Sequence, residues 1–246
     1  MSDYNKHIKK QIERQNPWYI GSQFAWAEQE SIKRIYDRRR RFFHKIIMNE
    51  IMKRGRMKLL DYGCGDGYWA LFFSQIPNCN VIGVDYNLLR LERARSLIRN
   101  AIFIQADLRK RNNNLGKNDI VFCSQVIEHV KDDISFLHNI KNYLIKDGTL
   151  IIGCPNEGSL AHRFRYRHER RINTDHVHFY KEKEIKLKIK MAGFKIETIF
   201  REIFYPGWDK LYYELTSTDF GFKFLEILTL IFPSQCSDYY FECKLI

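Results

Sequence analysis

The run K-L-L-D-Y-G-C-G-D-G at residues 58–67 constrains this chain more than any other stretch. Two aliphatic residues lead into Asp61, and glycines follow at Gly63, Gly65 and Gly67. A buried strand ending in a glycine-rich turn lets backbone approach a ligand closely, because glycine has no Cβ and adopts left-handed dihedrals freely. Dinucleotide-binding folds carry a near relative of this motif, so the downstream spacing decides. V-I-G-V-D (81–85) reads as a second strand ending in an acid, about 20 residues past the glycines. In nucleoside-binding α/β folds such an acid accepts from both ribose hydroxyls, which gives Asp85 that role. The competing reading is an acid that merely caps the next helix.

Beyond residue 58, strand-like and helix-like segments alternate. Strands are expected near 58–62, 80–84, 102–105, 119–123, 149–154 and 194–200, with Y-Y-F-E-C-K-L-I as a last one. Helices are expected near 67–76, 87–99, 133–145 and 181–192, with Gly148 placed to end the third. This alternation implies parallel strands with helices on both faces. Ahead of it, apolar residues at Ile32, Ile35, Tyr36, Phe43, Ile46, Ile47 and Ile51 recur at helical spacing over 24–54. Two segments stand outside the pattern. Residues 155–180 are too polar for core, and 203–234 separate the sixth strand from the last; cap, dimer contact or extra core are the roles open to them.

As an ordered set, D-x-G-x-G-x-G, G-V-D, A-D-L, D-I-V…E-H-V and L-I-K-D-G-T-L-I-I resembles the class I S-adenosylmethionine-dependent methyltransferases over roughly residues 55–200. The resemblance implies an α/β, Rossmann-like, doubly wound and mostly parallel seven-stranded sheet. Residues 1–54 would form an N-terminal helical cap and 55–246 the methyltransferase domain, with lid insertions at 155–180 and 203–234. S-adenosylmethionine would be the cofactor and S-adenosylhomocysteine the product. Gly63, Gly65 and Gly67 would then contact the methionine part, with Asp61 holding the loop. Tyr86 would pack on the adenine, Asp107 accept from its amino group, and Leu108 line the ring. Ser124 and Gln125, past the fourth strand, would flank the methionine moiety. In this family a leading helix often folds over the cofactor mouth, so Trp18, Tyr19 and Trp26 are lid candidates beside plain core packing.

A sulfonium methyl is already activated, so transfer depends chiefly on in-line positioning. A hydroxyl acceptor also loses a proton, and a base within hydrogen-bond reach then helps. His129, just past the fourth strand, is the leading candidate, with His176 and His178 next. A metal reading competes, because ubiquinone-type O-methyltransferases carry E-V-I-E-H-V and bind a divalent metal there. This chain has Q-V-I-E-H-V. Gln125 replaces the first carboxylate, and metal-independent catalysis is the expectation, although Glu128, His129 and His176 or His178 remain a plausible ligand set.

Charge narrows the acceptor. The 246 residues carry 41 Lys and Arg against 29 Asp and Glu, a net +12. Residues 33–58 hold eleven of those bases, and five arginines fall within 162–171. Arginine forks match phosphate and carboxylate oxygens in pairs. On an extended lid Arg163, Arg165 and Arg167 would face one way, with Phe164 and Tyr166 opposite. These residues therefore point to a small anionic acceptor: a phosphorylated, nucleotide-linked or sugar-type metabolite. An RNA 2′-O-methyltransferase would instead use the basic helix as its phosphate track. A lipid-directed enzyme would use the apolar stretch 222–232, and a non-catalytic S-adenosylmethionine-binding protein is the reading from a different class. Six cysteines without metal spacing, a polar N-terminus and no run long enough to span a bilayer suggest a cytoplasmic protein, with a homodimer open.

Overall fold

A computed structural model describes residues 9–13, 16–168 and 175–246; Arg170, Arg171 and the side chains of Trp18 and Arg167 lie outside the described residues. Seven strands form one sheet in the order β3-β2-β1-β4-β5-β7-β6. They are β1 Met57–Tyr62, β2 Cys79–Asp85, β3 Ala101–Gln105, β4 Asn118–Ser124, β5 Leu144–Pro155, β6 Phe194–Arg201 and β7 Asp238–Leu245. β1 to β5 pair in parallel, while β7 runs antiparallel between β5 and β6. The chain builds outward from β1 toward β3 and then returns to add β4 on the other side. That reversal leaves a crevice at the carboxyl ends of β1 and β4, where open α/β sheets bind ligands.

Helices cover both faces. α1 Pro17–Ile20, α2 Gln23–Ala27 and α3 Glu30–Arg54 precede β1; α4 Tyr68–Ser74, α5 Leu88–Leu97 and α6 Asp133–Lys141 connect the strands. Later come α7 Leu160–His168, α8 Glu182–Met191, α9 Asp209–Thr216 and α10 Asp219–Ile231. The apolar stripe of α3 is buried against the sheet: Phe43 and Ile47 are fully covered and share one cluster with Leu59, Phe73 and Phe122. Gly55 ends the helix at φ 77°, with its N–H returning to the Ile51 carbonyl. Phe222 and Leu225 of α10 belong to the same cluster, so much of 203–234 is added core.

Three expectations need correction. Gly148 does not end a helix: α6 stops at Lys141 and Gly148 lies inside β5. Asn118 pairs with Leu144 and Ile120 with Thr149, so 145–148 bulge out of the ladder. The lid is helical where it was expected to be extended, since 160–168 form α7. At about 100° per residue, Arg163 and Arg165 diverge by roughly 200°, and the comb of arginines is lost. Nor is 155–180 wholly outside the core, because Asn156, Ser159, His162 and Tyr180 are buried.

One buried ion pair joins α3 to the far edge of the sheet. Arg39 donates twice to the Glu202 carboxylate and once to Asp238, at 3.1 Å, while stacking on Tyr36 and Tyr240. Burial opposes the charge on Glu202, but Arg39 overrides it and holds that carboxyl below its usual range. Arg39→Ala strands a buried carboxylate and should cost about 3–5 kcal/mol in urea unfolding, a large part of which Arg39→Met with Glu202→Leu should recover. A single-variant loss below about 1 kcal/mol would mean the pair behaves like a solvated surface contact.

Candidate active site

The glycine loop closes the carboxyl end of β1 under steric demand. Gly63 sits at φ 95° and Gly65 at φ 53°. A Cβ would lie 2.3 Å from Val126 Cγ2 at the first and 2.6 Å from the Arg90 guanidinium at the second. Only glycine fits both the dihedral and the space. Gly67, at φ 82°, starts α4. The Asp85 carboxylate accepts from the Gly65 N–H and the Asn87 N–H, each at 2.8 Å. Each carboxylate oxygen has a second acceptor position, so bracing the loop and accepting from ribose are compatible roles. Below it Asp61 is buried, and its Oδ2 has no partner among the described residues. Burial first, and then the Asp85 charge, push its pKa well up, a condition that a cationic ligand group would relieve.

The remaining expected cofactor residues divide. Tyr86 donates to the Tyr19 hydroxyl at 2.9 Å, so it lies under the N-terminal segment. Gln125 takes φ 58°, and its amide donates to Asp238 at 2.9 Å; Ser124 shares a hydrogen bond with Tyr240. Asp107 is held bidentately by Arg109, whose hydrogen bonds keep its pKa low. The Leu108 side chain is buried in the cluster packed under α6, and its carbonyl accepts from Tyr62 and Asn139.

Opposite the loop, the turn Ile127–His129 meets 175–180. His129 Nδ1 lies 3.1 Å from Asp175, which also accepts from Tyr19 at 2.6 Å. Burial disfavours a charged His129, but the Asp175 hydrogen bond and the charges of Glu128, Asp175 and Glu157 outweigh it and raise the pKa. His176 stands edge-on to His129 with ring centres 4.7 Å apart, and its Nδ1 pairs with Glu157 at 2.6 Å. Glu128 is fully buried with neither oxygen partnered among the described residues, and burial raises its pKa. Ligand atoms of Glu128, His129 and His176 all lie within 4.8 Å of one another. Carboxylate and imidazole donors on those residues fit a divalent cation. His178 does not join them: it bonds the Val130 and Lys131 carbonyls and stacks on Tyr180.

The lid residues line a cleft of about 620 Å³ formed by Glu157, Gly158, Arg163, Tyr166, Phe179 and Lys181. Tyr166 bonds Glu157 and meets Phe179 edge-on. Arg165 pairs with Asp209 at 2.7 Å while its guanidinium stands 5.9 Å from the Tyr166 ring centre. Sequence reasoning missed Glu157, Asp175, Asp66 and Arg90. Glu157 follows the carboxyl end of β5, a position that alone could have flagged it. Asp66 joins Arg90 to the Gln23 N–H, a three-part contact with no local pattern.

Comparison with known proteins gives a consistent picture. Residues 29–199 match a family model described as a methyltransferase domain. A probable S-adenosylmethionine-dependent methyltransferase of Mycolicibacterium smegmatis is 26% identical over 163 residues, covering 63% of this chain and 58% of that protein. The ubiquinone biosynthesis O-methyltransferase of Haemophilus ducreyi is 33% identical over 108 residues, 40% of this chain and 45% of the relative. The chain thus spans about half the length of the curated relatives it matches. Magnesium protoporphyrin IX methyltransferase from Synechocystis, solved with bound SAH, superposes with a TM-score of 0.60 at 16% identity over 96% of this chain and 95% of that one. That likeness concerns the fold.

If Asp85 accepts from the ribose hydroxyls, Asp85→Ala should weaken S-adenosylhomocysteine binding by roughly 1–3 kcal/mol in calorimetry. Unchanged affinity would place the ribose elsewhere.

Proposed function

Since the chain belongs to the class I S-adenosylmethionine-dependent methyltransferases, we propose that it methylates a hydroxyl oxygen of a small anionic acceptor, with His129 as general base. The observation that carries this reading is the His129–Asp175 pair, 3.1 Å apart where the turn after β4 meets residues 175–180. The glycines at 63, 65 and 67, Asp61 and Asp85 fit the cofactor, because the loop is a cradle a Cβ would fill and Asp61 keeps an unpartnered oxygen. Held there, S-adenosylmethionine would supply an activated, sulfonium-bound methyl to the acceptor oxygen, with S-adenosylhomocysteine as the leaving group. Asp175 holds the His129 Nδ1–H, which leaves the Nε2 lone pair for the acceptor's hydroxyl proton. Tyr19, bonded to both Asp175 and Tyr86, links the strand-end residue Tyr86 to the His129–Asp175 pair.

Arg163 and Lys181 beside Tyr166 and Phe179 suit an acceptor that joins an anionic group to a flat or ring-shaped body. The RNA reading is less well supported. Arg34, Arg38, Arg39, Arg40 and Arg54 of α3 pair with Asp219, Glu226, Glu202, Asp37 and Glu50, so much of the basic run is neutralised within the fold.

His129→Ala should lower kcat about 10²–10⁴-fold, with cofactor affinity retained. A base must be neutral, and the pKa of His129 is raised. Wild-type kcat should therefore climb as pH rises through a value above histidine's usual ~6.5. Asp175→Asn should move that profile to lower pH; a flat profile in both proteins removes the base.

Glu128 favours a second reading, in which it joins His129 and His176 around a divalent cation. The base reading expects full turnover in EDTA. Activity lost to EDTA and restored by magnesium or manganese would make His129 a ligand.

A further inference from the structure

The outward face of α10 is apolar. Phe220, Phe224, Ile227, Leu230 and Ile231 recur at helical spacing on its solvent side, with Phe220 85% and Leu230 83% exposed. Phe232, half exposed, follows directly after the stripe. The opposite face of α10 is satisfied by Phe222 and Leu225 in the core. Contiguous exposed apolar surface of this kind marks an interaction site.

Charge selects the occupant. The acids of α10 each have a basic partner on α3, though both stay solvent-accessible: Asp219 pairs with Arg34 at 2.9 Å and Glu226 with Arg38 at 3.2 Å. Lys223 stands in the middle of the stripe, exposed, with no acidic partner among the described residues. Arg41 and Lys45, one and two turns beyond Arg38 on α3, are exposed as well. An apolar centre with a cationic rim, on a chain of net charge +12, complements an anionic lipid surface. A symmetric dimer through the same face would bury Lys223 without a counter-ion, which is costly, whereas at a bilayer the side chain reaches up to the headgroups. At 13 residues α10 is about 20 Å long, too short to cross a membrane and suited to lying along its surface.

We propose that the α10 face is a membrane-docking surface for anionic lipid bilayers. Its position matters for the site. α9 contacts α10 and is tied to the lid by Arg165–Asp209, and Gly207 packs on Ala161 of α7. A bilayer seated on α10 therefore lies beside the element that lines the acceptor cleft. The docking surface stands independently of the acceptor's identity.

Vesicle co-sedimentation of the full chain tests this. The chain should pellet with vesicles of phosphatidylcholine and phosphatidylglycerol in equal parts, pellet far less with phosphatidylcholine alone, and release as salt rises. Phe220→Ser with Phe224→Ser and Leu230→Ser should weaken partitioning about tenfold or more. Because all three positions face solvent, the thermal midpoint and S-adenosylhomocysteine affinity should hold. No pelleting with anionic vesicles overturns the proposal. So does undiminished pelleting of the triple variant, which would assign binding to the basic surface alone. So does a wild-type dimer in sedimentation equilibrium that the triple variant turns into a monomer.

Discussion

The Asp85 carboxylate is the tie on which the site depends. It ends β2, accepts the Gly65 N–H across the crevice and the Asn87 N–H at the start of α5. A glycine loop with three left-handed residues has little conformational preference of its own, and Asp85 with the Val84 carbonyl, which accepts from Gly63 and Cys64, fixes its shape. Holding the loop in advance spares part of the ordering cost when cofactor binds.

The N-terminal helices extend that tie into an enclosure. Asp66 of the loop accepts from the backbone at the start of α2 and from Arg90 on α5. Tyr19 bonds both Tyr86, just past the end of β2, and Asp175. The wall behind them is rigid, with Tyr36 stacked on Trp69 and Arg39 locked between Glu202 and Asp238. Asp238 in turn holds Gln125 in its left-handed conformation. If the crevice opens for exchange of ligands, the Tyr19 contacts and the 155–180 segment are the parts free to shift, since the sheet and α3 share one core. Gating of this kind commonly sets turnover.

The sheet was legible because most strands are apolar runs bounded by turn residues and β6 alternates apolar with polar residues, so six of the seven were placed to within about one residue at each end. β5 alone escaped at its start, because the bulge at 145–148 hides pairing that begins at Leu144. Asp85 and the glycines were legible by position at strand ends. The lid was not: R-F-R-Y-R alternates as a strand would, yet it folds as helix α7 and packs against Gly207 and Tyr205. Tertiary packing overrode the local pattern. Asp175 was invisible for the same reason, because its partner His129 is matched to it only once the chain has folded, while Glu157, the partner of His176, was marked only by its place past the end of β5.

The most direct measurement is a crystal structure of the chain with S-adenosylhomocysteine. The ribose should lie on Asp85, the amino acid end beside Asp61 and the glycine loop, and the sulfur should be open toward His129. A ligand bound elsewhere, or a sulfur screened from His129 by protein, would contradict that arrangement.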